Sequence, residues 1–504
     1  MAHIRNLAGQ TFWYGISTVF ARFLNYLLTP YLTKVLLQSE YGEMSLVYAA
    51  IAFISVIFMH GLETAYFRFS TSKAEEQKVF NTASTSLLFS TALLFSLLLI
   101  FRQEIATLVS IKEHPEYITW SAYIIALDAL TSLAFAKLRF QERPIKYAFV
   151  RMVSIIINIL AVFFFLSLCP RLQLKYPHSI LLFVYNNKIG FGYVIIANII
   201  QSAICLVLLY KEFFSFQIKF DTGLWKKIIL YSMPLIIVGL CNVINENADR
   251  IMLGWWGTGT DLLSIKAGVG TYSACSKLAG LITIAIQAFR LGAEPFFFKV
   301  AAGENPKKLY SKVMNFFVIA MCAMFLIVSL NLDIWKLFIQ NPLMWAGLKV
   351  VPILLFANIF LGIYYNLSIW FNLKNRTIVG AVITFTGALI TVGINYLFIP
   401  RYGYIACAWA TFFCYGSMVL LTYFWGQKVY PISYPVKKII GYMTLSILLY
   451  FLYWLFRHLD IGMLVTAIFS FLLFCIFCFI VIKSEKEELG KIPFFNKLFW
   501  QRRI

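Results

Sequence analysis

The stretch VINENADRIML, Val243–Leu253, decides how this chain is read. It crowds Asn245, Glu246, Asn247, Asp249 and Arg250 into a segment otherwise apolar enough to cross a bilayer. Charge at that depth is expensive, roughly 2.5–3.5 kcal/mol per residue at mid-bilayer on insertion scales. A segment that keeps such groups must pair them, wet them or use them. Helical spacing places Asn242, Asn245, Glu246, Asp249 and Arg250 on one face. Trp255 and Trp256 mark the nearer interface, so Glu246 lies about 15 Å inward at 1.5 Å per residue.

The remaining sequence sets the frame. The 504 residues are 61% hydrophobic and 13% charged, with a mean hydropathy of +0.79, which excludes a water-soluble enzyme. A helical span needs roughly 20 mostly apolar residues. About fourteen are legible: 9–33, 42–67, 79–101, 117–137, 147–169, 190–210, 228–256, 267–292, 312–332, 347–371, 378–399, 403–426, 439–457 and 461–482. The predicted fold class is an all-α polytopic membrane protein. The first span is too long for a signal peptide, carries Arg22 and is followed by no small-residue cleavage pattern. Cys475 and Cys478 form a C-x-x-C, but inside the last span, where packing outweighs metal or redox chemistry. No metal and no cofactor is expected.

The net charge of +21 is an orientation signal rather than a nucleic-acid footprint. With the N-terminus in the cytoplasm and the spans alternating, inner segments hold about 29 Lys and Arg and outer ones about 12. Arg22 and Lys277 remain within spans. Both termini are therefore expected inside. The tail from Ile492, IPFFNKLFWQRRI, reads as an amphipathic helix on the inner surface.

A repeat of roughly 230 residues runs through the chain. YGEMS (41–45) opens the second span and VGTYS (269–273) the eighth; CPR (169–171) ends the fifth and IPR (399–401) the eleventh. GYVIIAN (192–198) then begins the sixth span and GYIACAW (403–409) the twelfth. The order shared by these weak matches is what carries weight. The predicted lobes are 1–215 and 216–428, each with six spans, with 429–504 adding spans thirteen and fourteen and the tail. Six is even, so the lobes enter the membrane in the same direction and relate by an axis along its normal. Pro30 and Pro234 are expected to bend the first helix of each lobe. SILLFVY (179–185) reads as an outer loop segment.

Polar stripes recur at three- and four-residue steps. The first span carries Arg22 and Asn25, the second Glu63, the fourth Asp128, the eighth Lys277, Gln287 and Arg290, and the tenth Asn358 and Tyr365. Facing lipid they would be costly; facing one another across water they are tolerable. One hydrated central cavity is expected. Plainer readings stand beside this. Glu246 and Arg250, four apart with the acid first, suit an internal ion pair, and Asp249 with Arg250 fits a local pair equally well. Arg290 lies near a cytoplasmic end and can snorkel, and Glu63 lies a turn or two from the inner surface. Arg22 and Lys277 differ: each sits mid-span, one per lobe, with no acid at helical spacing, which favours function. Two buried cations call for an anion, and the surrounding amides, hydroxyls and rings for sugars. A sugar on a diphosphate meets both demands.

YSMPLIIVGLCNVINENADRIML (231–253), VGTYSACSKLAGLITIAIQAFRLGAEPFF (269–297) and PRYGYIACAWAT (400–411), with six, six and two spans, resemble the polysaccharide transporter (Wzx-type oligosaccharide flippase) family of the multidrug/oligosaccharidyl-lipid/polysaccharide exporter superfamily. The resemblance covers nearly the whole chain. It implies a non-enzymatic carrier in the bacterial cytoplasmic membrane that moves an undecaprenyl-diphosphate-linked oligosaccharide outward by alternating access, with membrane lipids as its other partner and a monomer as the working unit. On that reading Arg22, Asn25, Lys277, Gln287, Arg290, Asn358 and Tyr365 bind substrate. Glu63, Asp128, Glu246, Asp249 and Arg250 serve gating or a coupling ion, Na+ or H+. The cations of the first and eighth spans also resemble those of lipid II flippases, so a peptidoglycan precursor stays open as cargo. An ion-coupled drug exporter of the same superfamily is a rival, but such cavities are usually acidic and the usual span count is twelve. A membrane glycosyltransferase or polymerase lacks the expected long outer loop or D-x-D, and no P-loop is present.

Overall fold

The computed structural model describes residues 2–70, 73–176, 183, 185–300, 305–374, 376–459 and 462–490. The amphipathic tail lies outside them, as does most of SILLFVY. Among the described residues there is no strand. The long helices are α1 (Ala2–Val35), α2 (Gln38–Met59), α3 (Lys73–Ile100), α4 (Glu116–Phe140), α5 (Pro144–Phe163), α6 (Gly192–Leu208), α7 (Thr222–Trp256), α8 (Leu262–Val300), α9 (Pro306–Ser329), α10 (Val351–Leu367), α11 (Thr377–Tyr402), α12 (Tyr404–Val429), α13 (Val436–Arg457) and α14 (Met463–Ser484). Among the described residues, 12 helical segments are long and apolar enough to cross a membrane. The expected fourteen is thus not met by that measure: α1 falls outside the 12, and α6 is apolar but short.

Local chemistry explains the interruptions. The second span breaks at His60 (φ 28°) and Gly61 (φ 68°) before Leu62–Phe69 continues it. A side chain at Gly61 would suffer the left-handed backbone and press on Leu235 of α7. After α5 the helix widens to a π turn over Phe164–Leu168, just ahead of Pro170. Proline has no N–H to give the carbonyl four residues back, so the ladder slips there. Pro30 and Pro234 both sit inside continuous helices. Pro30 is near the end of α1 and Pro234 in the first half of α7.

The packing repeats. In the first six helices α1 packs on α5, α5 on α6, α6 on α4, and α4 on α2 and α3. In the next six α7 packs on α11, α11 on α12, α12 on α10, and α10 on α8 and α9. The two sets meet along α2 and α8, flanked by α2 on α7 and α1 on α8. The meeting point is YGEMS against VGTYS. A Cβ built on Gly42 falls on the Lys266 carbonyl oxygen, and one on Gly270 falls on that of Gln38. Only glycine lets two backbones come so close. Beside it Lys266, 4% exposed, bonds Glu43 at 3.2 Å. The helices α13 and α14 stack on the outside of α9.

Glu485, just past α14, fastens that outer pair. Its carboxylate accepts from Asn315 of α9 at 3.0 Å and from Lys438 and Tyr442 of α13 at 2.9 and 2.7 Å. Burial alone would raise this carboxyl, but those donors outweigh it and hold it below its ordinary value.

Gly42→Leu should therefore separate α2 from α8 and cut folded yield and thermal stability sharply, by about 1–3 kcal/mol or more for overpacking. Gly268→Ala, with nothing within 4 Å of its Cβ, should be neutral or mildly stabilising; fluorescence-detected size exclusion in detergent compares the two. The docking of α13 and α14 should be at full strength above the ordinary carboxylate value of about 4.3 and fade as pH falls through the lower folded value of Glu485. Hydrogen exchange at α14 should then quicken on acidification, and Glu485→Gln should show the faster exchange at neutral pH.

Candidate functional site: a charged cavity between the two helix sets

A cavity of about 460 Å³ lies where the two helix sets meet, walled by α1, α7, α8, α10 and α12. From α1 come Arg22, Asn25 and Tyr26; from α7, Asn245, Glu246, Asn247, Asp249 and Arg250. Tyr272, Ser276, Lys277, Thr283 and Gln287 come from α8, and Asn358 and Tyr365 from α10. The three- and four-residue steps read from sequence thus converge on one chamber. Thr411 and Tyr415 of α12 also line it. They were missed, although a Thr and a Tyr four apart in an apolar span carry the same kind of signal, because neither is ionisable.

The charges fall into two kinds. Asp249 is 6% exposed and fully engaged: Tyr272 donates to it at 2.5 Å and Arg250 Nη1 at 3.0 Å. Arg250 also donates to the Glu246 main-chain carbonyl at 2.8 Å and to Ser276 at 3.3 Å. The expected Glu246–Arg250 side-chain pair does not form, because Tyr272 anchors the competing carboxylate beside the guanidinium. Arg22, Asn25, Glu246 and Lys277, by contrast, are all exposed to the chamber. No hydrogen bond or ion pair engages the side chains of Arg22, Glu246 or Lys277 among the described residues. Glu246 lies within electrostatic reach of Arg22 and Arg250, and Lys277 within reach of Arg250. With Asp249 and Arg250 cancelling, two open cations face one open carboxylate, and the chamber is net positive.

The remaining candidates lie apart. Arg290 is next door, its guanidinium 4.6 Å from the Tyr365 ring, in a smaller pocket that shares Ile286 and Tyr365 with the chamber. Glu63 and Asp128 do not line the chamber. Glu63 pairs with Arg139, and Asp128 accepts from Ser202 of α6 at 2.7 Å. The expectation that stripes of the second and fourth spans join the cavity is corrected. Both are satisfied within the first helix set, Glu63 by Arg139 of α4 and Asp128 by Ser202 of α6. Asn358 donates to the Ala279 carbonyl at 3.1 Å, which ties α10 to α8 at the chamber wall. Among the described residues no group of His, Cys, Asp or Glu is arranged to hold a metal ion.

Two packed sets of six helices around a polar chamber define a multi-pass helical membrane architecture. The chain belongs to the polysaccharide biosynthesis protein family, whose profile matches residues 7–299. Its fold is that of the lipid II flippase MurJ in its inward closed conformation: TM-score 0.66 at 15% identity, over 94% of this chain and 99% of that one. It is also similar to an inward-facing multidrug resistance MATE family transporter of the MOP superfamily, with TM-score 0.60, 12% identity and coverage of 81% and 94%. A mutant of the Vibrio cholerae MATE transporter VcmN gives 0.57, 12%, and 85% and 99%. No curated protein matches the chain.

Asp249→Ala should strip the part-buried Arg250, 19% exposed, of its counter-ion and cost about 3–5 kcal/mol. Arg250→Met in the same chain should recover most of that loss. A double-mutant cycle on thermal unfolding checks this, and additive losses would show that the two side chains do not act as a pair.

Proposed function

We propose that the protein is a flippase for an oligosaccharide carried on undecaprenyl diphosphate, working by alternating access across the bacterial cytoplasmic membrane for surface polysaccharide assembly. The observation that carries this reading is the pair Arg22 and Lys277. They come from different helix sets, open to one chamber, and are engaged by no hydrogen bond or ion pair among the described residues. A diphosphate offers such cations several charge-assisted bonds, from a guanidinium fork and an ammonium point charge. Asn25, Asn247, Gln287 and Thr283 supply amides and a hydroxyl for sugars, and Tyr26, Tyr365 and Tyr415 supply ring faces.

The headgroup enters while the chamber faces the cytoplasm, and the lipid tail stays in the bilayer. Closure on one side and opening on the other then delivers it outward. With the termini inside, an inside-negative potential favours export of an anion by about 2.3 kcal/mol per charge per 100 mV. Of the four carboxylates read as gating or coupling groups, Asp249, Asp128 and Glu63 are already engaged. Glu246 remains open, so a coupling H+ or Na+ acts there, releasing its hold on Arg22 as cargo arrives.

The fold shared with MurJ favours a second reading, a peptidoglycan precursor on the same diphosphate carrier. A net-positive chamber disfavours a third, export of organic cations. Arg22→Ala and Lys277→Ala, each at unchanged membrane abundance, should lower surface-glycan display by about 10- to 100-fold, the worth of one charged hydrogen bond. Lys277→Arg should retain most of it. Undiminished display in both alanine variants removes the anion site. Failure of cell-wall synthesis without loss of surface glycan selects the second reading.

A further inference from the structure

A second polar cavity, of about 310 Å³, shares no lining residue with the chamber and lies where α9 and α13 end and α14 begins. Asp333, in the short helix Leu332–Trp335 that follows α9, stands at its centre. One of its oxygens accepts from Lys336 Nζ and from Arg457 Nη2, both at 2.8 Å. Ser470 and Asn331 close the wall, joined by a 3.1 Å hydrogen bond, with Thr466 beside them. Among the described lining residues two cations therefore face one carboxylate. Arg457 is 46% exposed, with a single contact to Asp333 occupying one arm of its fork.

The surroundings fix the depth of this cavity. Trp454 is half-exposed beside it, and Lys336 sits 5.1 Å from the Trp345 ring; exposed tryptophans mark the membrane–water interface. Leu455, Leu459 and Leu464 around the rim are more than half exposed, as is fitting against acyl chains. The same turns of α14 carry exposed Ile468, Phe471 and Leu472 on their other faces. A net-positive, hydroxyl-lined recess at headgroup depth, standing over an apolar helix face, matches a phosphate with hydrocarbon attached below it.

We infer that this recess binds a lipid phosphate: Arg457 and Lys336 take the phosphate oxygens, and the tails run along α14. By the charge asymmetry the leaflet is the outer one. The site does not depend on the cargo of the central chamber. Two lipids share its chemistry, an anionic phospholipid and a polyprenyl monophosphate, and inorganic phosphate is the soluble control.

The full-length protein in non-ionic detergent is titrated with phosphatidylglycerol, a polyprenyl monophosphate, phosphatidylcholine or inorganic phosphate, and bound lipid is counted by native mass spectrometry. Arg457→Gln should weaken binding of the favoured anionic lipid by about tenfold or more. Asp333→Asn should tighten it, because the carboxylate competes for the same two cations. A purely structural ion cluster predicts the opposite for Asp333→Asn: lower thermal stability and no gain in lipid. Tighter retention of phosphatidylglycerol assigns the site to bulk lipid, and tighter retention of the monophosphate assigns it to the carrier. Equal retention of phosphatidylcholine, no response to either substitution, or inorganic phosphate competing at the lipid's own concentration overturns the proposal.

Discussion

At the start of α2 and α8 two backbones touch without side chains between them, Gly42 against Gly270. The dimensions of the molecule follow from that contact. It draws the two helix sets together along one line, places α1 against α8 and α2 against α7, and seals that end with the Glu43–Lys266 pair. Further along, α1, α7 and α8 part enough to leave a chamber. Close glycine contact at one end and separation below it leave the two sets joined by a short rigid contact that can act as a pivot.

The chamber is governed by electrostatics more than by shape. In a low-dielectric surrounding like charges repel strongly and unpaired charge is costly. The chain answers this in two ways within eleven residues of sequence. Asp249 and Arg250 are consumed by each other and by Tyr272, which turns charge into scaffold. Glu246 is left open with Arg22 and Lys277, which keeps charge available. Glu63 and Asp128 show the scaffold outcome elsewhere, each held by a partner in its own helix set.

Much of this was legible in the sequence. Long apolar runs set the fold class, because the bilayer allows few alternatives to helices. Weak matches such as YGEMS and VGTYS were enough to find the repeat, since they mark the place where the halves must touch. Helical spacing put Arg22, Glu246, Lys277, Gln287, Asn358 and Tyr365 toward a common space. It did not reveal which acid Arg250 would choose, because that depends on Tyr272 arriving from another helix. Nor did it show that Glu63 and Asp128 would find their partners within their own helix set. Periodicity gives a direction around one helix axis but not what stands opposite. The breaks at His60–Gly61 and Phe164–Leu168 were missed for a related reason: both arise from single residues that leave hydrophobicity unchanged.

The glycine contact also shapes how such a duplicated chain can diverge. The 228 positions separating Gly42 from Gly270 also carry Arg22 onto Arg250, and Lys277 onto Ala49, which is 1% exposed within the apolar interior. Copies of one ancestral unit are thus tied together where they meet, since bulk added to either glycine strikes the other copy. Their chamber-facing positions carry no such mutual debt. Either copy can acquire, lose or neutralise a charge alone, with the joint between the copies left untouched.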